Sequence, residues 1–183
     1  MKLVATSLAG VFEAVSTPFG DTRGQFTRLF CAEALTLAHA GRPIVQINHS
    51  LTRIVGSVRG IHYQRPPQAE AKWIRCLRGR VWDVAVDLRR GSPTFLRWHA
   101  VELDAERMNA IFIPEGCAHG FQVLVPDSEL LYLHSASYAP NLEDTVRWDD
   151  PRLAITWPLP VADLSDRDRH HALLDETFEG IAV

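Results

Sequence analysis

Short runs in which hydrophobic and polar residues alternate recur along most of the chain. Turn-forming Gly, Pro, Asn and Asp residues separate these runs, a rhythm typical of the strands of a β-sandwich or barrel. Helical periodicity is confined to two short stretches, so we expect an all-β fold with helices at its periphery. The predicted strands are Val11–Ser16, Ile44–Asn48, Val58–Gln64, Trp73–Leu77, Val81–Leu88, Phe95–Val101, Ile111–Pro114, Gly120–Val125 and Leu130–Leu133, and the predicted helices are Ala32–Ala40 and Arg167–Leu174.

Strand alternation also predicts a polar inner surface. Successive side chains of a strand point to opposite faces, so His62 and Gln64 share one face while Ile61 and Tyr63 share the other. The same reasoning groups Gln46 with Asn48 on one strand and gives Lys72 the parity of Ile74 on another. Buried polar groups are costly unless they are paired or meet a ligand. The pattern therefore predicts a binding cavity inside the barrel.

Composition narrows the class of protein. The chain has 183 residues, of which 46% are hydrophobic, enough for one compact domain spanning residues 1–183. The formal charge of −3 is spread without long basic or acidic runs, which argues against nucleic-acid or membrane-surface partners and favours a small-molecule ligand. No apolar run is long enough to cross a bilayer, and the first residues do not resemble a signal peptide. We expect a cytoplasmic protein.

Two motifs bear on whether this chain binds a metal ion. Pro114–His119 has the P-x-G-x-x-H pattern that often supplies a metal-binding histidine in small β-barrels of the cupin type. The companion segment His62–Gln64, however, has an amide where a second imidazole would be needed. Two imidazoles and a neutral amide make a poor site for a divalent ion. We therefore predict a site without a metal, and Gln64 argues against a metal-dependent cupin oxygenase.

The lysine usage singles out one cation. Of 19 Lys and Arg residues, only Lys2 and Lys72 are lysine. A lysine kept in such an arginine-rich chain suggests a need for a compact charge, such as one that faces a developing enolate. The alternative is a chance surface location.

A series of ordered motifs runs through nearly the whole chain, from Phe12 to Asp168. The motifs are Phe19–Phe26, Gln46–Ser50, Arg59–Gln64, Asp83–Arg89, Gly91–Phe95, Ile113–Phe121 and Trp148–Pro151, followed by Trp157 and Pro158. Together they resemble the pattern of one enzyme family, dTDP-4-dehydrorhamnose 3,5-epimerase. The resemblance implies a double-stranded β-helix (a cupin-like jelly roll), a homodimer with strand exchange, a nucleotide-diphosphate sugar as substrate and no cofactor.

The resemblance also implies a catalytic set for inverting the carbons beside the keto group of a 4-keto-6-deoxy sugar. It makes His62 the general base and Asp168 the carboxylate that orients it, with Asp166 as a close rival. It makes Lys72 the group that stabilises the enolate and Tyr132 the acid on the opposite face. These roles suit the chemistry, because a ketone acidifies its neighbouring carbons and inversion needs a proton donor on each face.

A second set of residues is implied to bind the substrate. Guanidinium groups at Arg23 and Arg59 can grip the diphosphate, and Phe26 can stack on the base. His119 can bind substrate, assist the dyad or be structural. Arg28 replaces a glutamate that is common in the family, so the nucleotide base is predicted to differ from thymine. The full binding set is Arg23, Arg59, Gln46, Asn48, His119, Phe26 and Arg28.

Two rival functions remain open at this point. An epimerase that inverts only C3 or only C5 would use the same residues with a different substrate pose, and the motifs do not separate it from the double epimerase. A non-catalytic cupin that binds sugar nucleotides would be expected to lose a member of the proton-transfer set. In this chain that set is intact.

Overall fold

The computed structural model describes residues 1–39 and 41–183, and within these residues the chain is built almost entirely from strands. Two short helices lie outside the sheets. The strands are β1 (Lys2–Ala5), β2 (Phe12–Val15), β3 (Phe19–Asp21), β4 (Gly24–Phe26), β5 (Gln46–Thr52), β6 (Val58–Gln64), β7 (Lys72–Arg78), β8 (Arg80–Asp87), β9 (Trp98–Asp104), β10 (Ala110–Ile113), β11 (Cys117–Val123), β12 (Ser128–His134) and β13 (Glu143–Thr145), and the helices are α1 (Thr36–His39) and α2 (Asp166–His170).

The strands form two antiparallel sheets and a separate hairpin. Sheet I has the order β1-β2-β10-β7-β12-β5, and sheet II has the order β13-β6-β11-β8-β9. Strands adjacent in sequence, such as β5 and β6 or β7 and β8, fall in different sheets, as expected for a double-stranded β-helix. The predicted jelly-roll fold is thus confirmed. The β3–β4 hairpin pairs only with itself in the described part of the chain.

Alternation along the strands divides the apolar side chains among three clusters. On β7, Ile74 belongs to the cluster between the sheets, together with Ile111 and Val123, whereas its neighbour Trp73 packs with Phe112 in a cluster that also contains α1 residue Ala38. A third cluster joins Ile61, Val84 and Val86 of sheet II to C-terminal residues such as Leu153 and Leu174. Both sheets are therefore covered on their outer faces, and the space between them is apolar at one end.

The helices are shorter than predicted. The first spans Thr36–His39 instead of Ala32–Ala40, and Ala40 lies outside the described residues. The second begins after its N-cap Ser165 and ends at His170, short of the predicted Leu174. The Leu174 amide instead donates to Asp150 Oδ2 at 2.6 Å, which holds the tail in an extended path over sheet II. Among the described residues, neither helix approaches the length needed to cross a bilayer.

The predicted strand Phe95–Val101 begins three residues later than expected, a larger displacement than at the starts of Val11–Ser16 and Ile44–Asn48. Phe95 and Leu96 belong to a turn, and β9 starts at Trp98. Leu96 has a φ of 60°, and its amide donates to the Asp87 carbonyl at 2.8 Å. The buried Asp87 carboxylate accepts from Ser92 and Thr94, so side-chain hydrogen bonds favour the turn over the local β propensity.

Candidate active site

A cavity of about 530 Å³ lies beside the apolar cluster between the sheets, and Phe121 and Tyr132 contribute to both. Its volume is typical of a small-molecule site. Both sheets supply polar side chains to it, so the prediction that polar strand faces converge on a cavity is confirmed for most of its members. The predicted residues in the lining are Gln46, Asn48, Arg59, His62, Lys72, His119 and Tyr132.

Gln64 shares the strand face of His62 but has a structural role. It is 3% exposed, its amide nitrogen donates to the carbonyls of Gln68 and Ser137, and its oxygen accepts from the Ala139 amide. All its polar atoms thus bond to neighbouring backbone. Gln64 is not part of the cavity wall. Its hydrogen bonds instead stabilise the loops that precede β7 and β13.

His62 forms a tight pair with Asp168. The His62 Nε2 lies 2.7 Å from Asp168 Oδ1, although 106 residues separate the two in sequence. Asp168 is buried on α2, where its amide donates to the N-cap oxygen of Ser165. The rival Asp166 is exposed on the same helix. The structure therefore selects Asp168 as the partner, and the Nε2–H donor leaves His62 Nδ1 free to accept a proton.

The surroundings of Asp168 keep it ionised. Burial alone would raise the pKa of this carboxyl, but the hydrogen bond and charge of His62 outweigh it and lower the pKa below its ordinary value. The Gly60 amide also donates to Asp168 Oδ2 at 3.4 Å. A side chain at Gly60 would not fit, because its Cβ would lie 2.6 Å from the Cα of Gly120 on β11. Gly60 thus permits the close strand contact beside His62.

His119 forms a second buried pair, with Asp83. The two side chains approach to 2.7 Å between His119 Nε2 and Asp83 Oδ2. His119 lies directly opposite His62 across β6 and β11, so both imidazoles belong to sheet II. The other Asp83 oxygen is buried and has no hydrogen-bond partner among the described residues. The sequence offered one sign of this role for Asp83, because a carboxylate within the largely apolar run Val81–Asp87 is expected to have a buried partner.

Tyr132 approaches the cavity from sheet I. Its ring centroid lies 6.0 Å from that of His119, in an edge-on arrangement, and its hydroxyl is 3.3 Å from Ser50 Oγ on β5. Burial raises the pKa of the Tyr132 phenol, an effect that the Ser50 hydrogen bond only partly offsets. The phenol therefore carries its proton at neutral pH and can act as a donor.

Lys72 also projects from sheet I and is only 8% exposed. Its ammonium nitrogen lies 3.0 Å from Glu70 Oε1. Lys72 was predicted from the sequence, but Glu70, which precedes it by two residues, was not. His134, whose Nδ1 lies 2.7 Å from the other Glu70 oxygen, was not predicted either. His134 could have been predicted from strand alternation, because it lies two residues from Tyr132 on β12 and therefore shares its face.

The remaining cavity residues form a polar rim. Gln46 donates to Asn48 Oδ1 at 3.2 Å and accepts from the Tyr138 amide at 2.9 Å. The Tyr138 hydroxyl donates to Glu143, which also pairs with Arg167. Tyr138 and Glu143 line the cavity as well. The site thus has an ordered edge beside its proton-transfer groups.

Three predicted binding residues lie away from this cavity in the single chain. Arg23 is on the tip of the β3–β4 hairpin, is 88% exposed and pairs with the neighbouring Asp21. Phe26 is 72% exposed on the same hairpin, as is Phe19 at 75%. Arg28 follows the hairpin and is exposed. One chain by itself does not bring this set to the proton-transfer groups.

The jelly-roll fold and a cavity that joins three histidine–carboxylate pairs, each with a 2.7 Å contact, to a lysine and a phenol define an enzyme of the cupin type that moves protons. The sequence profile of the dTDP-4-dehydrorhamnose 3,5-epimerase family matches residues 5–176. The chain belongs to this family of isomerases.

Individual relatives agree with this assignment. The dTDP-4-dehydrorhamnose 3,5-epimerase of Pseudomonas aeruginosa is 44% identical over 172 residues, covering 92% of this chain and 93% of its own. A dTDP-4-dehydrorhamnose 3-epimerase of Streptomyces niveus is 39% identical, covering 96% and 85%. The crystal structure of a Legionella pneumophila 3,5-epimerase in complex with dTDP-4-keto-L-rhamnose superposes with a TM-score of 0.86 at 37% identity, covering 91% and 89%.

Proposed function

We propose that this protein inverts C3 and C5 of a nucleotide-linked 4-keto-6-deoxy sugar by acid/base enolisation without a metal. The observation that carries the proposal is the arrangement of one cavity between two sheets. Sheet II supplies the His62 base with its Asp168 partner, and sheet I supplies the protonated Tyr132 phenol. A base and an acid on opposite walls are what stereochemical inversion requires.

Proton removal falls to His62. A hydrogen on a carbon beside the C4 ketone is acidic, because the resulting carbanion delocalises onto the carbonyl oxygen. His62 Nδ1 takes this proton, and the buried Asp168 carboxylate stabilises the imidazolium that forms. The electron pair of the C–H bond becomes the enolate double bond, and the negative charge moves to the C4 oxygen.

The enolate is then stabilised and protonated from the other side. Lys72, itself only 8% exposed, faces the cavity as an ammonium and offsets the charge on the C4 oxygen. Tyr132 donates its proton to the opposite face of the same carbon, which inverts the centre. Solvent returns a proton to Tyr132 and removes one from His62, so the enzyme is ready for the second carbon.

Binding of the nucleotide is assigned to Arg59 at the cavity and to the β3–β4 hairpin of a second subunit. The hairpin leaves two phenyl rings and the Arg23 guanidinium in solvent. In a homodimer with exchanged strands, the hairpin of one subunit would cover the cavity of its partner, bury Phe26 and bring Arg23 to the diphosphate. The altered base preference at Arg28 and the cytoplasmic location stay predictions.

An epimerase specific for one carbon is the second candidate. It is favoured by the 39% identity to the Streptomyces niveus 3-epimerase, which is close to the identities of the double epimerases. The same proton-transfer groups would serve either reaction, so the choice depends on how the sugar lies in the cavity.

Incubation with dTDP-4-keto-6-deoxyglucose in D2O tests the proposal. NMR should detect deuterium at C3 and C5 and a product with both centres inverted. Label at one carbon alone would select the single-carbon epimerase. If neither dTDP-linked nor other nucleotide-linked 4-keto sugars exchange, the proposed function is wrong.

A further inference from the structure

The carboxylate of Glu70 contacts two neighbouring side chains, although Glu70 lies in a loop. Glu70 precedes β7, so no strand pairing fixes its side chain. One of its oxygens lies 3.0 Å from Lys72 Nζ and the other 2.7 Å from His134 Nδ1. When only side-chain atoms are counted, Lys72 is 10% exposed, Glu70 11% and His134 10%, so all three side chains are largely buried.

His134 is in turn fixed on every side. It lies directly opposite Lys72 in the register of β12 and β7. Its ring stacks on Tyr132 with centroids 6.0 Å apart and an interplanar angle of 22°, and its Nε2 lies 3.3 Å from the Asn48 amide nitrogen. An amide nitrogen can only donate, so Nε2 accepts and Nδ1 carries the hydrogen that bonds to Glu70. The network selects one neutral tautomer.

The charges of the group are balanced. Burial would raise the pKa of Glu70, but the hydrogen bond from His134 and the charge of Lys72 outweigh it and lower the pKa. Glu70 is therefore an anion beside a buried ammonium, and a buried ammonium without such a partner would be strongly disfavoured. A lysine side chain has four flexible bonds, so a fixed carboxylate also determines where its ammonium group lies.

We infer that Glu70 and His134 are positioning residues for the proposed reaction: Glu70 holds the Lys72 ammonium in place, and His134 holds Glu70. The inference rests on the proposed function for its kinetic consequence but not for the geometry itself. Neither residue needs to contact the sugar. Glu70 and His134 form one group with Lys72 and Tyr132 on the sheet I side of the cavity. Within this group, Glu70 and His134 position Lys72 and do not themselves transfer a proton.

Kinetics of substitutions at both positions test the inference. Displacing a catalytic group by an ångström costs about 10²-fold in rate, so Glu70→Ala should lower kcat to that extent while KM changes little. Glu70→Gln keeps the shape and guards against a folding defect, and it should fall between the parent and Glu70→Ala. Glu13→Ala removes a comparable carboxylate that pairs with His99 at 2.9 Å, and neither residue lines the cavity, so it should leave kcat unchanged.

A paired substitution at His134 separates positioning from packing. His134→Asn places an amide N–H near the position of Nδ1 and should keep most of the activity, whereas His134→Leu fills the space without a donor and should lose it. If His134 acted only through packing, the leucine variant would be the more active of the two. That order of activities would overturn the role assigned to His134.

NMR of the lysine side chains measures how firmly the Lys72 ammonium is held when no substrate is present. The chain has only Lys2 and Lys72, so 15N-lysine labelling gives two side-chain signals, with Lys2 as the internal reference. The Lys72 ammonium signal should be protected from water exchange in the parent and in His134→Asn, and exchange-broadened in Glu70→Ala and His134→Leu. Unchanged protection in Glu70→Ala, or an unchanged kcat in an active parent background, overturns the inference. An inactive parent would instead reject the proposed function, and the NMR result would still decide the positioning role.

Discussion

The cavity and the β3–β4 hairpin contain residues proposed to act on the same substrate. The cavity side chains are fixed by neighbouring carboxylates, whereas the hairpin side chains are exposed. In the cavity, His62, His119 and Lys72 are each fixed by a carboxylate within 3.0 Å. On the hairpin, Arg23 and Phe26 are exposed, and Arg23 bonds only to its near neighbour Asp21 among the described residues. Proton transfer depends on preset geometry. Binding of a long, flexible nucleotide can instead be completed by a segment that is placed when two subunits meet.

The largest expected effect lies in the cavity. His62→Asn should abolish deuterium exchange at every labelled carbon, with a rate loss of about 10⁴-fold, because the base is removed while nucleotide binding is kept. NMR in D2O measures the exchange, and titration calorimetry with dTDP measures the binding. His170→Asn, on the exposed side of α2, is the matched control. Persistent exchange in His62→Asn would transfer the role of base to another group, with His119 the first candidate.

Tyr132→Phe should separate exchange from inversion. Without the phenol, His62 still removes the proton and returns deuterium to the same face, so label uptake continues while net inversion falls by about 10²–10⁴-fold. One NMR sample follows both label and product configuration. Tyr138→Phe, at the cavity rim, should invert at close to the parent rate. The reverse result for the two tyrosines would make Tyr138 the donor.

A smaller effect is expected on the hairpin. Arg23→Ala should raise KM about tenfold, the cost of losing one charged hydrogen bond to phosphate, and should leave kcat and thermal stability unchanged. Arg107→Ala, at an exposed turn near the end of β9, is the control.

Mixing experiments then show which subunit the hairpin serves. When Arg23→Ala and His62→Asn chains are combined, an exchanged hairpin creates one intact site per mixed dimer, and activity at low substrate should recover. No recovery would mean that the hairpin serves its own chain or that no mixed dimer forms, which sedimentation of a tagged mixture distinguishes.

The smallest effect concerns stability in acid, where the two regions should again differ. The pKa of Asp168 is lowered in the folded protein, so its carboxylate stabilises the fold above the unfolded pKa of about 3.9, and this contribution disappears as the pH falls through the lowered folded value. Asp168→Asn should therefore be less stable than the parent at pH 7, and the gap should narrow below about pH 4. Urea midpoints across this range measure it.

Asp21 provides the comparison for that titration. Its pKa is also lowered, by hydrogen bonds from Arg23, but the pair lies on the exposed hairpin, where the Arg23 side chain is 88% exposed and that of Asp21 49%. Exposed pairs contribute little to stability because solvent screens them. Asp21→Asn should match the parent at every pH, and a pH-dependent gap as large as that of Asp168→Asn would show that the hairpin is packed more tightly than one chain indicates.

The amino-acid sequence by itself predicted nine of the thirteen strands in the described part of the chain, all but β1, β3, β4 and β13, and most of the polar cavity lining. Alternation predicted β6 at Val58–Gln64 with the observed bounds, because one of its faces packs in an apolar cluster and the other meets the cavity. It could not show that Gln64 turns to nearby backbone, since the loops that contain Ser137 and Ala139 are set by the fold. The helices were overextended for a similar reason, as tertiary hydrogen bonds override weak helical propensity.

Only the tertiary structure decided which groups act together. Asp168 reaches His62 because the C-terminal segment crosses β6, where Asp163 pairs with Ser57 and its carbonyl accepts from the Val58 amide. Asp83, Ser50 and His134 became partners of predicted residues through strand pairings between segments far apart in the chain. Glu70 is a sequence neighbour of Lys72, but its second contact, to His134, also depends on the pairing of distant strands. Local patterns specify which face of a strand a side chain occupies. Which strands lie side by side depends on burying all apolar faces at once, a property of the whole chain.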